Sequence, residues 1–405
     1  MNNYEHRKAR ANIVIRKGDA PAAGIKVKAK LIRHEFLFGC GGFDILAYAN
    51  AGDEDIVNKL KGRVELWSRL FNYATLPFYW GRYEPEEGKP EKAPMDKAVA
   101  YLNSIGAKVK GHPLCWHTVC ADWLLKYSDE EIMERQEARI TRELNDFKGK
   151  VTLWDAINET VIMPVFDKYD NAVTRICNRY GRIPLIKKIF DTAKQADPDA
   201  VLLINDFNTS MDYAHVIEQC LDAGVPISAI GIQSHQHQGY WGAEKLETVL
   251  SRFEAFGLPI HFTENSIISG ELMPPEIEDL NDYHNDNWQT TPEFEERQRT
   301  QMEEMYRILF SHPLVKAISQ WDFADGMWLD APSGIIRRDG SPKPAYEMLY
   351  DLIHKEWSTD ITAETDENGM IVLDGFKGDY EITVNGSTFT ATLTDSSDDI
   401  ILNMA

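Results

Sequence analysis

Residues 153–160 read LWDAINET. An apolar run from Val151 to Trp154 leads directly into a polar terminus carrying Asp155, Asn158 and Glu159, the way a barrel strand delivers chemistry to its carboxyl end. The stretch PIHFTEN, residues 259–265, makes a second delivery of the same kind and puts Glu264 at its polar end. Two glutamates so far apart in the chain can act as a pair only if the fold gathers distant strand ends on one rim. A closed parallel barrel does so.

Working outward, residues 36 to about 356 alternate short apolar runs, each with a polar or aromatic terminus, with longer segments of helical period. Strands are predicted at 36–42, 71–76, 107–116, 151–158, 200–207, 227–235, 259–265 and 315–323. Strands alternating with helices in this number read as an α/β fold, a (β/α)8 TIM barrel over 36–356. Helix signals agree: Ser128 with Glu131 makes a capping box, Thr291–Pro292 a start, and Gly224 and Gly257 stops. Outside the barrel, residues 12–35 and 359–404 alternate apolar and polar, are rich in Val, Ile and Thr, and carry turn signals such as Glu-Asn-Gly and Val-Asn-Gly. Neither end offers enough strands alone. Residues 1–35 plus 357–405 are therefore predicted to form one small accessory β-sandwich interrupted by the barrel.

A chain of 405 residues that is 43% hydrophobic has room for a barrel and a smaller second domain. A net charge of −21 argues against nucleic acid or an anionic membrane as partner, because both would be repelled; a neutral substrate suits it. The first residues, MNNYEHRKARANIVIRKGD, hold no apolar stretch longer than three, and the five cysteines (Cys40, Cys115, Cys120, Cys177, Cys220) suit a reducing compartment, so the expected location is cytoplasmic. No metal is expected: Cys115 and Cys120 lack a zinc-like companion pair, and His235 and His237 are read as facing opposite sides of a strand end. No glycine-rich phosphate loop opens a helix, so no cofactor is expected. His34, His284 and His354 lie outside the motifs and are read as surface residues.

The predicted strand ends carry GHPLCWHTVCADW (111–123), WDAINE, IND (204–206), QSHQH (233–237), TEN (263–265) and QWDFADGMW (320–328). Acids, amides, histidines and tryptophans thus share one rim. Aromatic faces beside short polar groups are what a sugar needs, since it offers apolar C–H faces and many hydroxyls. A single glutamate is usually a solvated or salt-bridged surface carboxylate. Two at facing strand ends in this company suggest glycoside hydrolysis, in which one carboxyl protonates the leaving oxygen and the other attacks or activates water.

The ordered set GHPLCWH, WDAINE, INDFN, IGIQSH, FTEN and WDFAD…W…PKPAY resembles glycoside hydrolase family 10, the retaining endo-β-1,4-xylanases, over roughly residues 36–350. The resemblance implies that Glu159 is the acid/base and Glu264 the nucleophile, about 5–5.5 Å apart, with a covalent glycosyl-enzyme and xylan or xylo-oligosaccharides as substrate. It implies that Asn158 contacts the hydroxyl beside the scissile bond and that Gln233 and His235 line the nucleophile's side. His112 and Trp116, with Trp321 and Trp328, would form the floor and walls of the central sugar site. Asn205 of INDFN, Asn72 of the strand-two Phe-Asn and Trp80 in the segment that follows complete the implied binding set. The ends resemble the opening and closing strands of carboxypeptidase-regulatory-like sandwiches.

The departures bear on specificity. Family members follow the strand-two Phe-Asn with a longer segment carrying Glu-Asn and Lys-Trp, which grips sugars on the non-reducing side; here it reads FNYATLPFYWGRYEPEEG (71–88), shorter and with no lysine before Trp80. The acid usual two residues after the nucleophile is Ser266, and a glutamine usual near Val119 is absent. Three alternatives therefore stand beside a xylanase: a hydrolase of this family for another or decorated β-linked glycan, a non-catalytic carbohydrate-binding protein on the same scaffold, and a barrel lyase or isomerase, which would want a metal or phosphate site.

Overall fold

The computed structural model describes residues 3–404. Eight apolar runs form parallel strands: β1 (Leu37–Gly41), β2 (Tyr73–Pro77), β3 (Lys108–His112), β4 (Leu153–Asn158), β5 (Val201–Asp206), β6 (Ala229–Ile232), β7 (Ile260–Ile267) and β8 (Val315–Gln320). They neighbour one another in chain order, β6 pairs with β7, and β8 neighbours β1, so the ring closes without an edge. Every position of β4 and β7 is buried, as it must be for strands covered on both faces. Long helices fill the connections; Asp129–Asp146 starts on the expected box, with Ser128 and Glu131 each bonding the other's backbone.

All the predicted barrel strands are present, most with trimmed ends, while those at 71–76 and 259–265 run on to Pro77 and Ile267. The stretch 107–116 stops being a strand at His112, because Pro113 has no N–H for the ladder and Leu114 turns to donate to the carbonyl of Asp155. The stretch 227–235 splits: the ladder ends at Ile232, and His235–Gln236 makes a separate short pairing with Ser266 and Ile267. Two register slips matter more. β4 slips against β5 between Asp155 and Ile157, and β7 slips against β8 between Phe262 and Asn265. Such bulges re-aim the side chains that follow, and these two fall at the ends that carry Glu159 and Glu264.

A second compact unit gathers the described residues of Met1–Leu37 and Tyr346–Ala405 together with Arg307–Pro313. Its strands come from both ends of the chain. In one sheet Lys8–Lys17 lies between Met370–Phe376, antiparallel to it, and Ile400–Met404, parallel to it. In the other, Lys26–His34 lies between Asp360–Glu364 and Gly378–Val384, and Ser387–Leu393 completes the edge. Alternating residues of these strands, among them Ile13, Ile15, Val27, Leu373, Tyr380 and Ile382, are buried. The last hairpin turns on Asn385 and Gly386, at φ 48° and 83°, a pair suited to left-handed backbone.

This grouping draws residues 307–313 and 346–356 away from the barrel span expected at 36–356. Phe310 stacks on Trp357 with ring centroids 4.1 Å apart, and Arg7 donates to the carbonyls of Phe310 and His312 at 2.9 and 2.7 Å. His34, expected at the surface, is instead packed edge-on against Phe310 and Phe376, with Nε2 3.3 Å from the carbonyl of Ile353. Burial pushes its pKa down to about 4.

Because Lys8–Lys17 and Lys26–His34 each sit between strands contributed by the far end of the chain, deleting residues 357–405 leaves both with open edges. The truncated protein is expected to be insoluble or to melt well below the full chain. A soluble truncation with an unchanged melting temperature in differential scanning fluorimetry would show that the two ends do not depend on each other.

Candidate active site

β4 ends on Asn158 and hands the chain to Glu159, which takes up left-handed backbone at φ 56°. That conformation strains a residue with a Cβ and persists because the Glu159 N–H donates to the carbonyl of Asn205 at 2.8 Å. Its carboxyl Oε2 accepts the indole N–H of Trp116 at 2.8 Å, and Oε1 lies 3.4 Å from the Gln233 amide. The Glu159 side chain keeps 14% of its surface open, enough to reach a ligand. Burial, with the charges of Asp206 and Glu264 adding to it, pushes its pKa up to about 8.

Glu264, on β7, stands in the opposite environment. Oε1 accepts the Asn205 amide at 2.9 Å, Oε2 lies 3.1 Å from His235 Nε2, and His112 Nδ1 lies 4.0 Å away. Burial alone would raise its pKa; His112, His235 and the ammonium of Lys110 outweigh it and leave the carboxyl below its usual value. Lys110 and His112 alternate on β3, so both point the same way. Both meet one oxygen of the fully buried Asp155, at 2.7 and 2.6 Å.

Between the glutamates runs a chain of amides. Asn158 Oδ1 accepts from Asn205 at 2.8 Å and from Gln233 at 3.1 Å, and Thr263 Oγ1 donates to Asn205 Oδ1 at 2.8 Å. With its oxygen doubly occupied, Asn158 donates from its NH2 group to Glu159 Oε1 at 3.3 Å. Around this polar centre stand rings: Trp321 with centroids 5.5 Å from His112 and 6.0 Å from His235, Trp328 4.5 Å from His235, and Trp116 6.0 Å from His112.

The structure thus gathers Glu159, Glu264, His112, Trp116, Asn158, Asn205, Gln233, His235, Trp321 and Trp328 on one rim. It does not bring Asn72 or Trp80 there. Asn72 precedes β2, at the amino end of the barrel, and its side chain accepts from the N–H of Phe38; it clips β1 to β2. Trp80 is buried, spends its indole N–H on Glu84 and lies under the Arg139 guanidinium, so it is packing. The ring that faces the centre from that segment is Tyr79, 5.6 Å from Trp116 and 5.7 Å from His112. The reading of His235 and His237 as facing opposite sides is also corrected: residues two apart on extended chain face the same way, and Ser266 Oγ lies 3.0 and 3.3 Å from their Nδ1 atoms. That hydroxyl occupies the place of the usual acid.

Several working residues were given no role by the sequence, although His117 closes GHPLCWH and Lys343 lies in PKPAY. His117 Nε2 lies 3.8 Å from Glu159, and burial lowers its pKa to about 4, so it is neutral at pH 7. Lys343 sends its buried ammonium to Ser269, Asp325 and the Gly334 carbonyl at 2.7, 2.6 and 2.8 Å, pinning the turns after β7 and β8 together. Lys110 had a legible sign, a charge on the inward phase of an apolar strand. Among the described residues no group of three His, Cys, Asp or Glu could hold a metal ion.

The profile of Glycosyl hydrolase family 10 matches residues 50–352. Endo-1,4-beta-xylanase B of Thermotoga neapolitana is 27% identical over 312 residues, 72% of this chain and 84% of that protein. A beta-1,4-xylanase of Dictyoglomus thermophilum is 30% identical over 288 residues, 68% of this chain and 75% of that one. Among solved structures, a family 10 enzyme from Paenibacillus barcinonensis superposes with a TM-score of 0.64 at 25% identity, covering 79% of this chain and 95% of the other. Xylanase 10B of Thermotoga petrophila, in complex with xylobiose, gives 0.63 at 24% identity over 80% and 95%.

Removing the ammonium under the site tests how much the site leans on it. Lys110→Met leaves Asp155 as an uncompensated buried charge, and the expected cost is about 3–5 kcal/mol of folding stability, read as a lower denaturant midpoint. Lys110→Met with Asp155→Leu should recover part of that loss. A single variant as stable as the parent would show that the pair is idle.

Proposed function

Because this chain belongs to glycosyl hydrolase family 10, we propose that it is a retaining, endo-acting β-1,4-xylanase, with Glu264 as nucleophile and Glu159 as acid/base. The observation that carries the assignment is the split between the two environments: one buried carboxyl pushed up to about 8, the other held below its usual range by His112, His235 and Lys110. Two titrating groups pushed apart in this way support Glu159 as the proton donor and Glu264 as the attacking carboxylate.

In the first step ionised Glu264 attacks the anomeric carbon, while Glu159 passes its proton to the leaving oxygen; the C–O bond to the leaving sugar breaks and a glycosyl ester forms on Glu264. Trp116 holds Glu159 Oε2 in place, and the NH2 group of Asn158 is placed to donate to the hydroxyl next to the reacting carbon. In the second step Glu159, now a carboxylate, takes a proton from water, which displaces Glu264 from the sugar. Trp321, Trp116 and Tyr79 give the sugar's C–H faces something to lie against. The lack of a lysine in 76–84, where Trp80 is packed away and Tyr79 turns inward, supports a second reading within the family: weaker or differently shaped holding of the non-reducing side, suited to a decorated chain. Losing one charged donor there costs roughly 1.5–3 kcal/mol of binding when buried.

The signs of the two shifts fix the pH window. Glu159 must be protonated and Glu264 ionised, so activity is expected to fall on the alkaline side near pH 8 and on the acid side below the usual carboxyl value of 4.5. Glu264→Ala should abolish turnover with the fold intact. Glu159→Ala should spare aryl substrates with good leaving groups and respond to azide. Near-parental rates on xylan from either variant would refute the assignment. The raised carboxyl also favours the folded state below pH 4.5, a contribution lost as pH climbs through about 8; Glu159→Gln is therefore expected to melt higher than the parent at pH 9. Digests of linear xylan, decorated xylan and mixed-linkage glucan, with product analysis, separate the two readings and expose a mere binder, which would release nothing.

A further inference from the structure

The connection after β7 is long, running from Ile267 to the helix at Pro292, whereas those after β5 and β6 are short. It is a folded segment in its own right: Ile268, Met273 and Trp288 form an apolar cluster with Ala331, and Leu280 and Tyr283 pack on it. Its path can be followed bond by bond. The N–H of Met273 donates to the carbonyl of His237 at 2.9 Å, and the Gln238 side chain donates to the carbonyls of Pro274 and Ile277 at 3.0 and 2.7 Å, so it crosses the end of β6. Farther on, Asn281 accepts from Trp328 at 3.3 Å. There Lys168 reaches it from the loop that follows Glu159, with its ammonium 2.6 Å from Asp279 and 2.8 Å from Asp282.

Loops after neighbouring strands touch as a matter of course, but β4 and β7 have β5 and β6 between them. The ion pair therefore ties the loop after Glu159 to the loop after Glu264 past two strand ends. β6 stands opposite β2 in an eight-membered ring, so this strap lies on the side of the glutamates away from the 76–84 segment. Apolar side chains are exposed on these two loops, Val165 and Leu272, and on the loop after β5, Phe207; exposed apolar groups of this kind are suited to a sugar's C–H faces. We propose that the Lys168–Asp279/Asp282 clasp determines how much leaving group the enzyme accepts: a single sugar or aryl group fits with it closed, while a long xylan chain on the leaving-group side must part it. The proposal rests on the xylanase reading and adds to it the residues that set chain-length preference on one side of the cut bond. The three side chains are 40%, 34% and 63% exposed, and ion pairs so exposed are weak and screened by salt. The clasp is accordingly a light one that the chain can open.

The test is the ratio of kcat/KM on polymeric xylan to kcat/KM on an aryl β-xylobioside, whose leaving group is small. Lys168→Ala is expected to raise this ratio about three- to fivefold, the scale of one exposed ion pair, with the aryl rate unchanged. The double variant Asp279→Asn/Asp282→Asn should raise it equally, and all three substitutions together should do no more. High salt should raise the ratio of the parent and leave that of Lys168→Ala where it is. An unchanged ratio in both variants, with aryl activity intact, overturns the clasp while leaving the xylanase reading in place. Loss of the aryl rate in the parent itself would overturn both.

Discussion

A positive charge sealed beneath the rim governs this site. The ammonium of Lys110 is fully buried, and Asp155 answers it at 2.7 Å while also fixing His112. Against the cost of burial, His112 and His235, and to a smaller extent Lys110, hold the Glu264 carboxyl below its usual value. A few ångströms away Glu159 has no cation of its own and faces Asp206 and Glu264, so burial wins and the proton stays. The difference between the two roles is therefore made by what surrounds each carboxyl, His112, His235 and Lys110 at Glu264 and Asp206 at Glu159. Those residues need a barrel: a ring of strands with its interior closed to solvent is the setting in which a lysine can be both buried and paired across to a neighbouring strand.

The barrel was legible in the sequence because each strand announces itself twice, by an apolar run and by the polar cluster at its end. Ser128 with Glu131 marked a helix start that the structure reproduces in full. Boundaries were less legible, since ladder bonding decides them, as Pro113 does after β3. The rim residues carried by motifs were brought together. Asn72 and Trp80 were not, and the reason is positional: Asn72 sits just before its strand, and Trp80, in a shortened segment, turns into the core beside Glu84. His117 and Lys343 lay within quoted motifs without a role assigned to them, because they, like Tyr79, act through contacts between segments distant in sequence. His34 shows the same limit from the other side, a polar residue that the assembled end strands enclose.

Two features near the glutamates look like irregularities and act as positioning devices. The bulges in β4 and β7 break the ladder at the places where an undisturbed pleat would aim the next side chain along the wall. The left-handed backbone at Glu159 does the rest, turning the chain over within one residue so that its N–H locks to Asn205, whose side chain in turn holds Glu264. The acid is thereby positioned by the same residue that orients the nucleophile, and the amide chain through Asn158 and Gln233 makes the pair one rigid unit.

The pairing of the first long strand with residues from the far end has a consequence for the chain while it is being made. Lys8–Lys17 finds its neighbours at Met370–Phe376 and Ile400–Met404. At ribosomal speeds of roughly 5–20 residues per second the interval between the emergence of these partners is roughly 20–70 s. Through that time the barrel can close, since all its strands lie between, but an apolar strand with two bare edges waits beside it. Nascent chains on the same messenger expose that strand to one another, so the order of synthesis, rather than the stability of the finished protein, sets the moment at which this fold is most prone to pair with the wrong partner.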